Sequence, residues 1–249
     1  LVVVNSYSAE YEFTTTNKSQ HKLWLVNDEK DIQLIERSFS EIENLYIADG
    51  HHRFASSSLL AKESKNINNS NTQYCMSYLI AEDQLKIISF NRLLKNLNGL
   101  SDEDFLTQIR QKYEIKKVQK ALVPTHKDEI KLYISKKWYT LIAKEEYVNR
   151  THCVEKLDPA ILSNNILAPI LGITDPRNDK RLAFIDGTHR LEEIKYKVDS
   201  EDFKAAFVLK PISVNQIKEV ADKGESMPPK STYIQPKLRS GMLIYDFED

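Results

Sequence analysis

The chain has 249 residues, 41% hydrophobic and 29% charged, which excludes a disordered protein and allows one large domain or two modest ones. Basic and acidic residues number 35 and 36, so the net charge is −1 and no global field draws the chain to nucleic acid or anionic lipid. No apolar run approaches the roughly 18–20 residues that span a bilayer, and no secretory signal is visible, so a reducing cytoplasm is the expected compartment.

In chain order, residues 1–4 (LVVV) read as a β-branched strand and residues 6–20 as a polar loop. Residues 21–26 alternate as a strand. Residues 28–40 place Ile32, Leu34, Ile35 and Phe39 on one face of a helix. Leu45, Tyr46 and Ile47 form an apolar run that predicts a strand over 45–48, broken by Asp49-Gly50, with a helix from His51 to about Ser64. Residues 64–72 are a loop by composition, and residues 74–81 and 85–90 predict a hairpin around Glu82-Asp83. Ser101 caps a helix with Asp102, Glu103 and Asp104 in its first turn and Phe105, Leu106 and Ile109 facing inward.

Strands follow at 115–118, 130–134 and 138–142, the last two joined through Ser135-Lys136-Lys137. Leu157-Asp158-Pro159 opens a helix expected to run over 160–171. Residues 182–185 predict a strand, 188–198 a helix and 205–209 a strand. Ser213 and Gln216 form a capping box for a helix ending near Lys223-Gly224, and residues 242–247 read as a closing strand. Alternating helices and strands with hairpins between them give a mixed α/β, or α+β, fold. A division near Val118 splits it into residues 1–118 and 119–249, the second part packed on the first.

Three stretches carry chemistry. The first is LYIADGHHRFASSS, residues 45–58. A strand, a glycine turn and a helix N-terminus together make a ready anion site. Around Gly50, Arg53 can grip a phosphate bidentately, His51 or His52 can move a proton, and Asp49 can hold any of these or a metal-bound water. The second is FIDGTHRLEEI, residues 184–194, which echoes the first: Asp186, Gly187, Thr188, His189 and Arg190 form a second candidate anion site. The third is MPPKSTYIQPKLRSG, residues 227–241. There Lys230, Ser231 and Thr232 offer an ammonium, two hydroxyls and backbone donors, and Lys237 and Arg239 could complete a positive pocket. It is not a P-loop, because the glycines that wrap a phosphate are missing. No residues have metal-site spacing: His51 and His52, adjacent on a helix, point about 100° apart. Cys75 and Cys153 are too few for a disulfide framework. Lys116-Lys117 and Lys136-Lys137 read as solvated faces.

ADGHHR and MPPKSTYIQPKLRSG resemble the signatures of a conserved family, domain of unknown function 1015. VEKLDPAILSNNILAPILGITDPR, residues 154–177, is similar to the family's middle, so the resemblance runs from about His21 to Ile244. That family is related to free serine kinases of the ParB/sulfiredoxin-like superfamily. The resemblance implies a ParB/sulfiredoxin-like core with added strands and helices, and a longer N-terminal part that would leave this chain incomplete. It also implies a nucleotide-dependent kinase of a small hydroxylated metabolite, free serine being the candidate, with ADP or ATP and Mg2+ as cofactors. Asp49, His51, His52 and Arg53 would then be catalytic, with Gly50, Lys230, Ser231, Thr232 and Arg239 holding the nucleotide. No position can be matched to the kinases' catalytic glutamate. The other reading is a non-catalytic, ParB-like regulator that binds a nucleotide or another anion. Its binding to DNA is disfavoured by the balanced charge and the lack of a basic helix-turn-helix.

Overall fold

A computed structural model describes residues 7–16, 18–64, 70–120, 122–200, 202–237 and 240–247, in two units, residues 1–47 and 48–249. The strand expected over 1–4 lies outside the described residues. In the first unit, β1 (Tyr11–Thr14) and β2 (Gln20–Leu23) pair antiparallel, with Phe13 stacked on His21 at 5.0 Å between ring centroids. The loop expected before residue 20 therefore contains a strand. Next, α1 (Glu29–Ser40) is capped by Asp28, whose carboxylate accepts from the N–H groups of Lys30 and Asp31.

The second unit begins with α2 (His51–Glu63), followed by β3 (Lys86–Ile88) and β4 (Phe90–Leu94). Then come α3 (Asp102–Lys112), β5 (Tyr113–Val118), β6 (Glu129–Ile134) and β7 (Lys137–Ala143). The chain continues through α4 (Asp158–Leu162), β8 (Leu182–Asp186), α5 (Leu191–Asp199), β9 (Ala205–Leu209), α6 (Val214–Asp222) and β10 (Tyr233–Gln235). Six strands form one sheet in the order β5-β7-β6-β9-β4-β8, every pairing antiparallel, and β10 pairs with β3 separately. The fold is α+β. The division expected near Val118 falls between strands of this one sheet.

Alternation along the strands sends side chains to both faces, and both are covered. On one face Leu94, Ile130, Leu132, Ile134, Leu141 and Phe207 pack with Phe105 and Ile109 of α3 and with Ile161, Leu162, Ile166 and Leu167. On the other, Leu93, Tyr133, Trp138, Ala206 and Val208 pack with Ile194 and Val198 of α5. Ser135 and Lys136 both have positive φ (51° and 58°), the turn that matches hairpin twist, and it sets Ile134 opposite Lys137.

Several sequence expectations are corrected. Residues 45–48, 74–81 and 242–247 form no strand. Leu45 is 62% exposed and Tyr74 69%: a β-branched or aromatic run becomes a strand only where a partner completes its ladder. The helix expected over 160–171 is the short α4 followed by a π turn, Ser163–Leu167, within which the buried Asn165 donates to the Tyr147 carbonyl at 2.9 Å. The helix after β8 starts at Leu191 rather than Thr188, because Asp186, Gly187 and Thr188 form a turn of their own. Among the described residues, no helix is long and apolar enough to cross a membrane.

Candidate anion-binding site

The helices α1, α3 and α6 begin on a side-chain acceptor; α2 does not. Its N-cap is Gly50, at φ 83° and ψ 26°, with no side-chain hydrogen bond and no acidic residue in the first turn. The first N–H groups thus keep their partial positive charge, and His51, His52 and Arg53 surround them, all exposed. Glycine is required at this left-handed position. It also leaves room for Arg53 to fold back over the turn, since a Cβ at Gly50 would lie 2.9 Å from Arg53 Nη2.

Asp49 is the carboxylate of the cluster. Its Oδ2 lies 3.9 Å from Arg53 Nη2 and 3.5 Å from Lys237 Nζ. Arg53 is 84% exposed, and pairs of this kind contribute about 0–1 kcal/mol, so stability does not explain the gathering. One carboxylate facing two cations beside an uncapped helix end leaves a surplus of positive charge. Arg239 lies outside the described residues.

The lysine that reaches the motif is Lys237. Lys230, at φ 52°, lies instead with its ammonium over the Phe90 ring, 5.5 Å from the centroid, while its carbonyl accepts from Arg92 Nη2 at 3.2 Å. Ser231 is buried and donates to the Pro228 carbonyl at 2.6 Å, so its hydroxyl closes a turn; Thr232 beside it is half-buried. From here a row of cations and rings runs along the C-terminal segment. Arg92 lies over Phe184 and Lys230 over Phe90. Phe90 meets Tyr233 edge-on at 5.8 Å, and Lys237 lies 4.6 Å from the Tyr233 centroid. Through Lys237 the row ends at Asp49. Burial pulls the Arg92 guanidinium down to about 9, and its hydrogen bonds go to the Phe90 and Lys230 carbonyls. Sequence patterning did not single out Phe90, Arg92 or Tyr233; the available signal was a charge inside the apolar strand FNRLL.

The DGTHR turn is built differently. Asp186 accepts from both the N–H and the hydroxyl of Thr188. Burial raises the Asp186 carboxyl, but these bonds outweigh it and hold it below its ordinary value. His189 bonds Glu193 at 2.7 Å, and the Arg190 N–H donates to Glu193 at 3.4 Å. The N-terminus of α5 is therefore already answered by its own carboxylate. Gly187, Thr188 and His189 do border a cavity of about 360 Å3, with Lys86, Ser89, Asn91 and Gln235 on its other walls. Among the described residues, no three His, Cys, Asp or Glu side chains gather where an ion could be held.

These features define a class, an antiparallel α+β protein with a cationic, uncapped helix end joined to its C-terminal segment. Within that class, the chain belongs to the family described as Protein of unknown function (DUF1015), whose model matches residues 2–160. No curated protein matches it in sequence. Among solved structures it is similar to a conserved hypothetical protein from Pyrococcus furiosus, at 15% identity and a TM-score of 0.43, over 76% of this chain and 68% of that one. It is also similar to a free serine kinase in complex with AMP, at 13% identity and a TM-score of 0.41, over 84% of this chain and 81% of that one. A variant free serine kinase in complex with ADP aligns over the same shares at 15% identity, with a TM-score of 0.37.

Proposed function

We propose that the protein is a nucleotide-dependent phosphotransferase acting on a small hydroxylated metabolite, with free serine the first substrate to test. In this reading the nucleotide's phosphates sit at the N-terminus of α2. The observation that carries it is the convergence of Arg53 and Lys237, from distant parts of the chain, on one exposed carboxylate beside unfilled backbone donors. Phosphoryl transfer asks a protein mainly for positioning and charge neutralisation, and this corner offers both. The N–H groups of His51 and His52 cradle phosphate oxygens, while Arg53 and Lys237 neutralise the charge that develops on them. His52 or Asp49 accepts the proton of the attacking hydroxyl. Lys230, over Phe90, lines the approach. ADP or ATP would bring Mg2+, an ion that takes most of its ligands from phosphate and water; Asp49 is the protein carboxylate within reach.

One observation favours a second reading, a ParB-like regulator that binds nucleotide without catalysis. Asp49 is shared between two cations, which leaves the histidines as the other proton acceptors on the motif. The test is calorimetric titration of ADP and ATP with Mg2+, followed by a serine phosphorylation assay. Arg53→Ala and Lys237→Ala should each weaken nucleotide binding at least tenfold, and Lys230→Ala less. Full affinity in Arg53→Ala would remove the site from this corner. Binding with no phosphoserine formed would leave the regulatory reading.

A further inference from the structure

We propose that a second cavity, between α5 and the tip of the β6–β7 hairpin, binds a small molecule bearing two or more phosphate groups. The cavity encloses about 390 Å3, the size of a small-ligand pocket. Five of its eleven lining residues are lysines, Lys117, Lys120, Lys136, Lys137 and Lys195, against one carboxylate, Glu192. In a chain whose charges balance, such a concentration is local.

Four of the five lysines are also unspent. Lys195 pairs with Asp199 at 3.2 Å, whereas among the described residues none of the other four has a carboxylate within 4.0 Å. Like charges lining one cavity repel one another, so folding gains nothing from their arrangement; a bound polyanion would turn the repulsion into attraction. A concave wall focuses that field further. Lysine suits the task because its rotating point charge can follow several phosphate oxygens, where arginine's planar fork fixes one geometry.

The scaffold beneath is rigid. Val118 pairs directly with Trp138 and Lys117 with Tyr139 across β5 and β7, and the two-residue turn fixes Lys136 and Lys137 at the hairpin tip. The Trp138 ring lies 4.7 Å from that of Tyr133, whose hydroxyl is tied to Asp199 at 2.8 Å. Preformed walls spare a ligand the cost of ordering them. None of these residues belongs to the corner around Asp49, so the proposal stands apart from the phosphotransferase reading.

Trp138 is itself the reporter. In a Trp24→Phe background its emission is followed during titration with sodium tripolyphosphate, beside sodium chloride of matched ionic strength. Saturable binding with a micromolar Kd is expected, unchanged by Arg53→Ala and weakened at least tenfold by Lys120→Gln with Lys136→Gln, with the thermal midpoint of that variant held. Three results would overturn the proposal: no saturation, a chloride response of the same size, or equal affinity in the double variant. Tighter competition by a single-stranded RNA oligonucleotide would also overturn it, and would identify the patch as a nucleic-acid surface.

Discussion

Gly50 and Gly187 occupy matching places in two DG-x-His-Arg turns, yet they are glycine for different reasons. Gly50 supplies a left-handed backbone and lets Arg53 fold over it. Gly187 is glycine because of close approach: its N–H donates to the Ser89 carbonyl at 2.8 Å, and a Cβ there would lie 2.8 Å from Ile88 Cγ2 and 3.1 Å from that carbonyl. Because the Ser89 oxygen is backbone, the clash cannot be relieved by a rotamer. Gly187→Ala is therefore expected to destabilise the protein by about 1–3 kcal/mol, read as a lower urea midpoint at unchanged m-value, without altering nucleotide affinity at α2. The two motifs were legible as residues. What differs, an open helix end in one and Glu193 over the other, depends on side-chain placement that a shared pattern does not encode.

At the scale of elements, α4 and the loop before β6 meet through two carboxylates. Asp158, at the first turn of α4, accepts from the Asp128 N–H at 3.1 Å, while the Asp128 carboxylate is held by Arg150 at 2.7 Å. Burial, and then the charge of Asp128, push the Asp158 carboxyl up to about 7. Its folded value lies above its unfolded one, so between about pH 4 and 7 the unfolded chain releases the proton first. Stability falls as pH rises through that window, by on the order of 4 kcal/mol, and is level above it. Asp158→Asn keeps the acceptor oxygen and removes the titration. The difference between variant and native urea stabilities should therefore grow in the variant's favour from pH 4 to 7; parallel curves would sink the assignment. Caps and periodicity made α1, α3 and α6 readable, because Asp28, Ser101 and Ser213 act within a few residues of themselves. The apolar runs at 45–48 and 74–81 misled for the opposite reason, since a strand exists only through its neighbour.

For the molecule as a whole, the sheet and the cores on both its faces lie entirely within residues 48–249. A chain starting at Ala48 is accordingly expected to fold alone, with a single cooperative thermal transition; loss of that transition on truncation would show that residues 1–47 are needed for it. Antiparallel order β5-β7-β6-β9-β4-β8 brings β9 between β6 and β4, a pairing far from local that no window of sequence reveals. The same topology sets Lys117, Lys136 and Lys195 around one cavity, although the short lysine runs read singly as solvated faces. By itself the sequence determined the family, whose model covers the ADGHHR stretch, along with the α+β class and the helices whose caps are local. Only the tertiary structure decided that Lys237 rather than Lys230 meets Asp49, that α5 answers its own N-terminus, and that lysines from three elements share a wall. Helix caps and periodicity act over a few residues and so are written in the chain; convergence of distant charges depends on strand order, which is fixed only when the core packs.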